Sequence, residues 1–156
     1  MHQVIRPPPH TRPHPPLARW PDGALVLVAS RQGRPFWTFR RIYPSCKVTE
    51  AESAGAAEQR AANNAFDLIV MDEHFGLYDP ARGSDAIAAI RRHELRSGPG
   101  AHRACIVSCS GDGDSDEFRT QARSAGADLV WPKPFPDCEG MQRDLTAVLG
   151  PQPAHT

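Results

Sequence analysis

Three polar residues stand where short apolar stretches of the chain end, and together they could handle a phosphoryl group. Asp72, Ser110 and Lys133 each follow directly on such a stretch. A carboxylate can attack phosphorus as a nucleophile and hold the group as an aspartyl phosphate. A hydroxyl can donate a hydrogen bond to a phosphoryl oxygen, and an ammonium group can offset its charge. The pattern therefore predicts a phosphoryl-transfer site with Asp72 as the acceptor.

The lysine at this site is informative because lysine is rare in the chain. Only Lys47 and Lys133 are lysines, and the rest of the 18 basic residues are arginines. An ammonium group is a compact point charge, whereas a guanidinium group is planar and prefers bidentate partners. The choice of lysine at position 133 favours a specific requirement for an ammonium group.

The apolar stretches are predicted to be strands of an α/β fold. Strand-like and helix-like patterns alternate from Ala24 onward, as in a doubly wound five-stranded parallel sheet with right-handed crossovers and helices on both faces. The strands are predicted at residues 24–28, 46–49, 68–71, 104–109 and 128–131, and the helices at 36–43, 52–63, after Ser84 as N-cap, 116–124 and 138–149. Parallel strands end at a common carboxyl edge, where open α/β sheets bind ligands. The three polar residues are therefore expected to lie together.

Composition predicts one folded domain between two tails. Residues 1–22 contain seven of the 16 prolines and almost no apolar periodicity, which predicts a disordered arm. Trp20 and Leu17 are the exceptions that could dock on the sheet beside its first strand. The folded domain is predicted at residues 23–150, and residues 151–156 are predicted to be a disordered tail.

Charge, apolar patterning and cysteine spacing limit the classes of function. The formal net charge is zero, so the basic surface of a nucleic-acid-binding protein is not expected. The apolar stretches are too short to cross a bilayer, so a membrane partner is not expected either. The four cysteines have neither disulfide nor zinc spacing and are predicted to be reduced thiols of the core. We expect a soluble, cytoplasmic protein.

Several segments, taken in order, resemble the receiver domains of two-component response regulators. They are residues 48–52, 66–72, 83–91, 125–128 and 133–135. The resemblance extends over roughly residues 24–149 and implies a flavodoxin-like receiver fold. It also implies a phosphoprotein of a two-component phosphorelay, with a histidine kinase or a histidine phosphotransfer protein as partner. Such a domain is not an enzyme beyond promoting its own phosphorylation and dephosphorylation, and homodimer formation is an open option.

The resemblance assigns roles to individual residues. Asp72 resembles the phosphoacceptor, Ser110 the hydroxyl residue that binds the phosphoryl group, and Gly111 the small residue after it. Lys133 resembles the lysine that also binds the phosphoryl group, and the bond that follows it, to Pro134, is commonly cis in the family. The family also binds Mg²⁺, for which the acceptor carboxylate and the backbone carbonyl two positions later, here that of His74, would be ligands.

The chain departs from the family where the metal should bind. The family normally has two acidic residues after the first strand, and here these positions are Ala29 and Ser30. Ser30 could at most be a weak ligand, so Mg²⁺ is predicted to bind weakly. The aromatic switch position of the last strand is Val130, with Trp131 next to it. These departures bear on regulated phosphorylation rather than on the fold.

Two functions therefore remain open. One is a receiver domain that accepts a phosphoryl group on Asp72 in two-component signal transduction. The other is a degenerate receiver that binds a protein partner independently of phosphorylation. A P-loop nucleotidase is opposed by the absence of a GxxxxGK[ST] loop. A phosphatase of the haloacid dehalogenase type would need an aspartate where the chain has His74.

Overall fold

The fold is an alternation of strands and helices, seen in a computed structural model that describes residues 20–133 and 135–150. Within these residues each strand is followed by one helix. The elements are β1 Leu25–Ala29, α1 Arg34–Ile42, β2 Lys47–Ala51, α2 Ala54–Asn63, β3 Leu68–Asp72, α3 Gly83–Arg96, β4 Cys105–Ser110, α4 Asp116–Ala125, β5 Leu129–Pro132 and α5 Cys138–Leu149. The predicted order of elements is confirmed.

All five strands are parallel and form one sheet in the order β2-β1-β3-β4-β5. The direction of winding reverses at β1, and open α/β sheets bind ligands at the carboxyl ends of the strands beside such a reversal. The register brings the strand ends level, because Asp72 pairs with Cys109 and Ser110 pairs with Pro132. The doubly wound, flavodoxin-like sheet is therefore as predicted.

Apolar side chains cover both faces of the sheet. One core layer lies under α2, α3 and α4 and includes Leu27, Ile69 and Ile106 of the strands. The other lies under α1 and α5 and includes Val28 and Val107. Successive strand residues point to opposite faces, so a sheet covered on both sides needs nearly continuous apolar strands. This explains why the strands lack a polar–apolar alternation.

The predicted starts of three helices are wrong. α1 begins at Arg34 rather than at residue 36. α3 begins at Gly83 with Arg82 at the N-cap, and Ser84 lies in its first turn. α2 begins at Ala54 rather than at residue 52, because β2 continues to Ala51. The physical reason for the shifted start of α2 is its N-cap, because the hydroxyl of Ser53 accepts a hydrogen bond from a backbone N–H of the first turn.

The folded region begins before residue 23, the predicted start of the domain. Trp20 is 9% exposed and packs against Tyr43 with ring centroids 5.2 Å apart. The backbone carbonyl of Pro21 accepts hydrogen bonds from the N–H of Ala24 and the thiol of Cys46. Residues 20–22 therefore belong to the fold and not to the predicted arm. Residues 1–19 and 151–156, the remainder of the predicted arm and tail, lie outside the described residues.

The four cysteines are unpaired. Cys105 and Cys109 lie in the core of β4, and burial raises the pKa of both thiols. Cys46 is half-buried and Cys138 is exposed. Contrary to the prediction, these two are not core residues. Among the described residues, no helix has both the length and the apolar character that crossing a membrane requires.

Trp20→Ala should destabilise the protein, because truncating a buried tryptophan leaves a cavity and loses apolar burial. We expect the free energy of unfolding to fall by about 3 kcal/mol, measured by urea denaturation. Trp37→Ala is the matched control. The Trp37 side chain is 62% exposed, so the change should stay within about 0.5 kcal/mol. Equal unfolding midpoints for the two variants would show that Trp20 is not part of the core.

Candidate functional site

The centre of the site is an ion pair between the ends of two strands. Asp72 is the last residue of β3 and is only 3% exposed. The Nζ atom of Lys133, which follows β5, lies 2.9 Å from its Oδ2 atom. A carboxylate buried to this extent needs a charged or hydrogen-bonding partner. The structure thus brings together two of the residues that the sequence singled out.

Ser110 lies between these two residues, at the end of β4. Its backbone carbonyl accepts a hydrogen bond from the N–H of Lys133 at 3.0 Å, which fixes the lysine backbone to the end of β4. Its Oγ atom accepts from the N–H of Asp112 at 3.1 Å, so the hydroxyl proton is available to a ligand. Gly111 follows in an exposed turn. The bond between Lys133 and Pro134, predicted to be cis, involves a residue outside the described ones.

The start of α3 packs directly against Asp72. A Cβ atom at Gly83 would overlap the backbone carbonyl oxygen of Asp72. The N–H of Gly83 donates to the carbonyl of Glu73 at 3.0 Å, which joins the helix to the strand end. This role of Gly83 was not predicted from the sequence. The only signal was its place at the start of a segment that resembles the receiver family.

Glu73 is a second buried carboxylate that the sequence analysis did not assign to the site. It is 5% exposed, and its Oε1 atom accepts a hydrogen bond of 2.7 Å from the hydroxyl of Ser84. Its Oε2 atom has no hydrogen-bond partner among the described residues. Burial raises its pKa, while the hydrogen bonds from Ser84 and the charge of Arg82 act in the opposite direction. The Glu73 carboxylate is therefore hydrogen-bonded to the first turn of α3 and not to the side chain of Asp72.

The residues at the end of β1 supply few ligands for a metal ion. Ala29 and Ser30 are each 1% exposed. The Oγ atom of Ser30 accepts a hydrogen bond from the N–H of Gln32 at 3.1 Å. His74 is exposed, and its ring contacts the guanidinium group of Arg82. No group of three or more His, Cys, Asp or Glu side chains within residues 20–133 and 135–150 could hold a metal ion.

This set of donors does not fit a tightly bound Mg²⁺ ion. Magnesium requires nearly octahedral oxygen ligands and is usually held by one or two carboxylates besides phosphate oxygens and water. The Asp72 carboxylate is already paired with Lys133, and the Glu73 carboxylate is hydrogen-bonded to Ser84. The roles predicted for Asp72, Ser30 and the His74 carbonyl as metal ligands remain predictions.

Two cavities border the described part of the fold. One, of about 470 Å³, lies at the carboxyl edge, where Glu73, His74 and Arg82 face the first turns of α4. The larger, of about 790 Å³, lies between α2 and α3 and is lined by residues that precede β3 and β4. It is therefore at the opposite edge of the sheet from Asp72 and takes no part in the candidate site.

The aromatic residue of β5 faces away from the predicted switch position. Val130 lies in the core layer under α2, α3 and α4. Trp131 lies in the other layer, where its indole N–H donates to the Oδ2 atom of Asp144 in α5 at 3.1 Å. β5 therefore has no aromatic side chain on the face of the sheet that packs against α4.

Comparison with known proteins identifies the fold. No family model matches the sequence, and no curated protein matches it. Among solved structures, the chemotaxis protein CheY4 of Vibrio cholerae is similar with a TM-score of 0.67 and 20% identity, over 81% of this chain and 99% of that one. The receiver domain of a sensor histidine kinase of Pseudomonas aeruginosa, determined with a magnesium ion in its active-site cleft, has a TM-score of 0.63 and 21% identity, over 83% of this chain and 99% of that one.

A third similar structure is a response regulator of Burkholderia pseudomallei that contains a phosphorylated aspartic acid and a calcium ion. Its TM-score is 0.62 and its identity 24%, over 80% of this chain and 66% of that one. These likenesses establish the fold. The prediction of a receiver fold, made from the sequence, is confirmed.

The donor set predicts weak magnesium binding, and the substitution Ser30→Asp should make that binding tighter. A second carboxylate beside Asp72 should tighten magnesium binding at least about tenfold in a calorimetric titration. Ser45→Asp is the matched control, because it adds the same charge before β2, at the other edge of the sheet. Tight binding by the natural sequence would contradict the prediction and would indicate a replacement ligand such as Glu73, Asp79 or Asp112.

The buried carboxyl group of Glu73 should make stability depend on pH. Its pKa is raised by burial above the ordinary value of 4.5, so the unfolded chain ionises first as pH rises. Stability should therefore decrease from about pH 4.5 until the pH passes the raised pKa of the folded state. Glu73→Gln removes this effect and should gain stability over the parent across that window.

The measurement is urea denaturation of parent and variant at a series of pH values across that window. Glu117→Gln changes an exposed carboxylate on the same cavity and serves as the control. The stability difference between Glu73→Gln and the parent should grow with pH and then level off. A difference that does not vary with pH would show that Glu73 ionises normally in the folded protein.

Proposed function

We propose that this chain is a receiver domain that accepts a phosphoryl group on Asp72 in two-component signal transduction. The observation that carries the proposal is the 2.9 Å contact between the Lys133 ammonium group and the buried Asp72 carboxylate. Ser110, which carries a hydroxyl group, is the last residue of β4, the strand between β3 and β5. The phosphorylated aspartic acid in the similar response regulator of Burkholderia pseudomallei supports this chemistry on the same fold.

The phosphoryl donor would be a phosphohistidine of a histidine kinase or a histidine phosphotransfer protein. A carboxylate oxygen of Asp72 attacks phosphorus and forms the new O–P bond. The N–P bond of the donor breaks, and its electron pair returns to the imidazole nitrogen. A donor ring that is protonated on its other nitrogen leaves as neutral imidazole, so the transfer needs no proton from this chain.

Lys133 and Ser110 then bind the transferred group. The ammonium group has three N–H donors, so it can contact a phosphoryl oxygen while it remains near Asp72. The Ser110 hydroxyl keeps its hydrogen bond from Asp112 and directs its proton to a second phosphoryl oxygen. Both groups are stronger donors to a phosphoryl anion than to a neutral acceptor, so they stabilise charge that develops during the transfer.

A degenerate receiver that works as a protein-binding module is the second candidate function. Two observations favour it. The acidic pair is replaced by Ala29 and Ser30. The loop after β3 exposes Leu77 and Tyr78, which are 97% and 92% exposed. Large apolar side chains exposed next to one another are suited to contact with another protein. This function would need no phosphoryl transfer and would survive the loss of Asp72.

Incubation with a small phosphodonor separates the two functions. Acetyl phosphate should add one phosphoryl group to the full chain, seen as a gain in intact mass, and Asp72→Asn should abolish the gain. Lys133→Gln should slow the reaction about a hundredfold, because it removes the charge that faces the developing anion. Glu117→Gln, a change of an exposed carboxylate at the same edge, is the control.

Two results would contradict the proposal. A mass gain that persists in Asp72→Asn would show that another residue is modified. Absence of any gain from the natural protein, with and without magnesium, would favour the protein-binding module.

A further inference from the structure

We propose that Arg31 supplies at this site the positive charge that a divalent cation supplies in related receivers, so that Asp72 accepts a phosphoryl group without a metal ion. The inference rests on the proposed phosphoacceptor function. It starts from the disagreement between the donor set and magnesium, since Ala29 and Ser30 carry no charge and are buried. The next residue along the chain is the arginine.

The Arg31 side chain lies on the loop that follows the acceptor. Its Nη1 atom donates to the backbone carbonyl of Phe75 at 3.5 Å, three residues after Asp72. β1 and β3 are neighbouring strands with Ala29 opposite Met71. The next pair in this register is Ser30 and Asp72, so Arg31 leaves the same edge of the sheet one residue beyond the level of Asp72.

The loop is shaped to leave room for the guanidinium group. A Cβ atom at Gly76 would overlap the Arg31 side chain. The backbone φ of Gly76 is +104°, a value that L side chains rarely adopt. The positive φ favours glycine at this position, and without a Cβ atom there the guanidinium group can lie against the loop.

The balance of charge shows why a second cation is needed. Before transfer, the carboxylate of Asp72 and the ammonium group of Lys133 balance each other. An aspartyl phosphate carries a charge of about −2 in place of the carboxylate, which leaves one negative charge uncompensated in a poorly solvated site. A guanidinium group restores neutrality, and its planar fork matches two phosphoryl oxygens.

Arg31 is available for this role. Among residues 20–133 and 135–150 it forms no ion pair within 4.0 Å, whereas Arg91 and Arg103 are paired with carboxylates. Arg31 is exposed, so its side chain can move from the Phe75 carbonyl to an incoming phosphoryl group. Arg82, another cation at this edge, contacts the ring of His74.

The test measures phosphorylation of the full-length chain by acetyl phosphate in an excess of the chelator EDTA and in magnesium. In this reaction an oxygen of Asp72 forms a bond to phosphorus, the P–O bond of the donor breaks, and acetate leaves with the electron pair. The natural protein should react in EDTA at a rate within about twofold of its rate in magnesium. Arg31→Gln should lower the rate in EDTA by at least about tenfold.

Arg34→Gln is the matched control, because Arg34 is an exposed arginine at the start of α1 without an ion pair among the described residues. It should react like the natural protein. Arg31→Lys should recover part of the rate, since it restores the charge but not the fork. A urea denaturation midpoint equal to that of the natural protein shows that a slow variant is folded.

The outcomes distinguish this inference from the function on which it rests. Phosphorylation of Asp72 only in magnesium overturns the inference and leaves the phosphoacceptor function standing. Equal rates for Arg31→Gln and Arg34→Gln, or loss of the EDTA rate in Arg82→Gln instead, also overturn it. Absence of phosphorylation under every condition overturns both.

Discussion

The ion pair between Asp72 and Lys133 is the constraint on which the described site depends. The two residues end β3 and β5, and β4 lies between these strands. Neighbouring strands are about 4.8 Å apart, so the lysine must reach across about 10 Å of sheet. A long, flexible side chain can span this distance, and the hydrogen bond from its N–H to the Ser110 carbonyl sets where it starts. The pair forms only when all three strands end level.

At the carboxyl edge of the sheet, the ion pair between Asp72 and Lys133 lies beside uncharged residues at the end of β1. Removing one partner of a buried ion pair leaves an uncompensated buried charge. This destabilises a protein more than replacing both charged residues by apolar ones. Ala29 and Ser30, at the end of β1, add no charge to this edge. Glu73, whose carboxylate is bonded to Ser84, contributes to the attachment of α3.

A second buried charge cluster stabilises the opposite edge. Arg91 of α3 is 3% exposed and donates to the Asp128 carboxylate at 2.9 Å and to the Ala104 carbonyl at 2.7 Å. It also donates to the carbonyl of Gly126 at 3.0 Å. These contacts join α3 to the segments that lead into β4 and β5.

The order of strands and helices, the parallel sheet and the three polar residues at its strand ends could be predicted from the sequence. Continuous apolar stretches and the polar residues that end them are local signals, so they can be read without the fold. The contacts of the folded chain were needed to show that Trp20 is buried in the core, that Glu73 binds Ser84 and that Arg31 lies on the loop beside Gly76. Each of these depends on contacts between segments distant along the chain or on the side-chain direction of one residue, and neither leaves a periodic trace in the sequence.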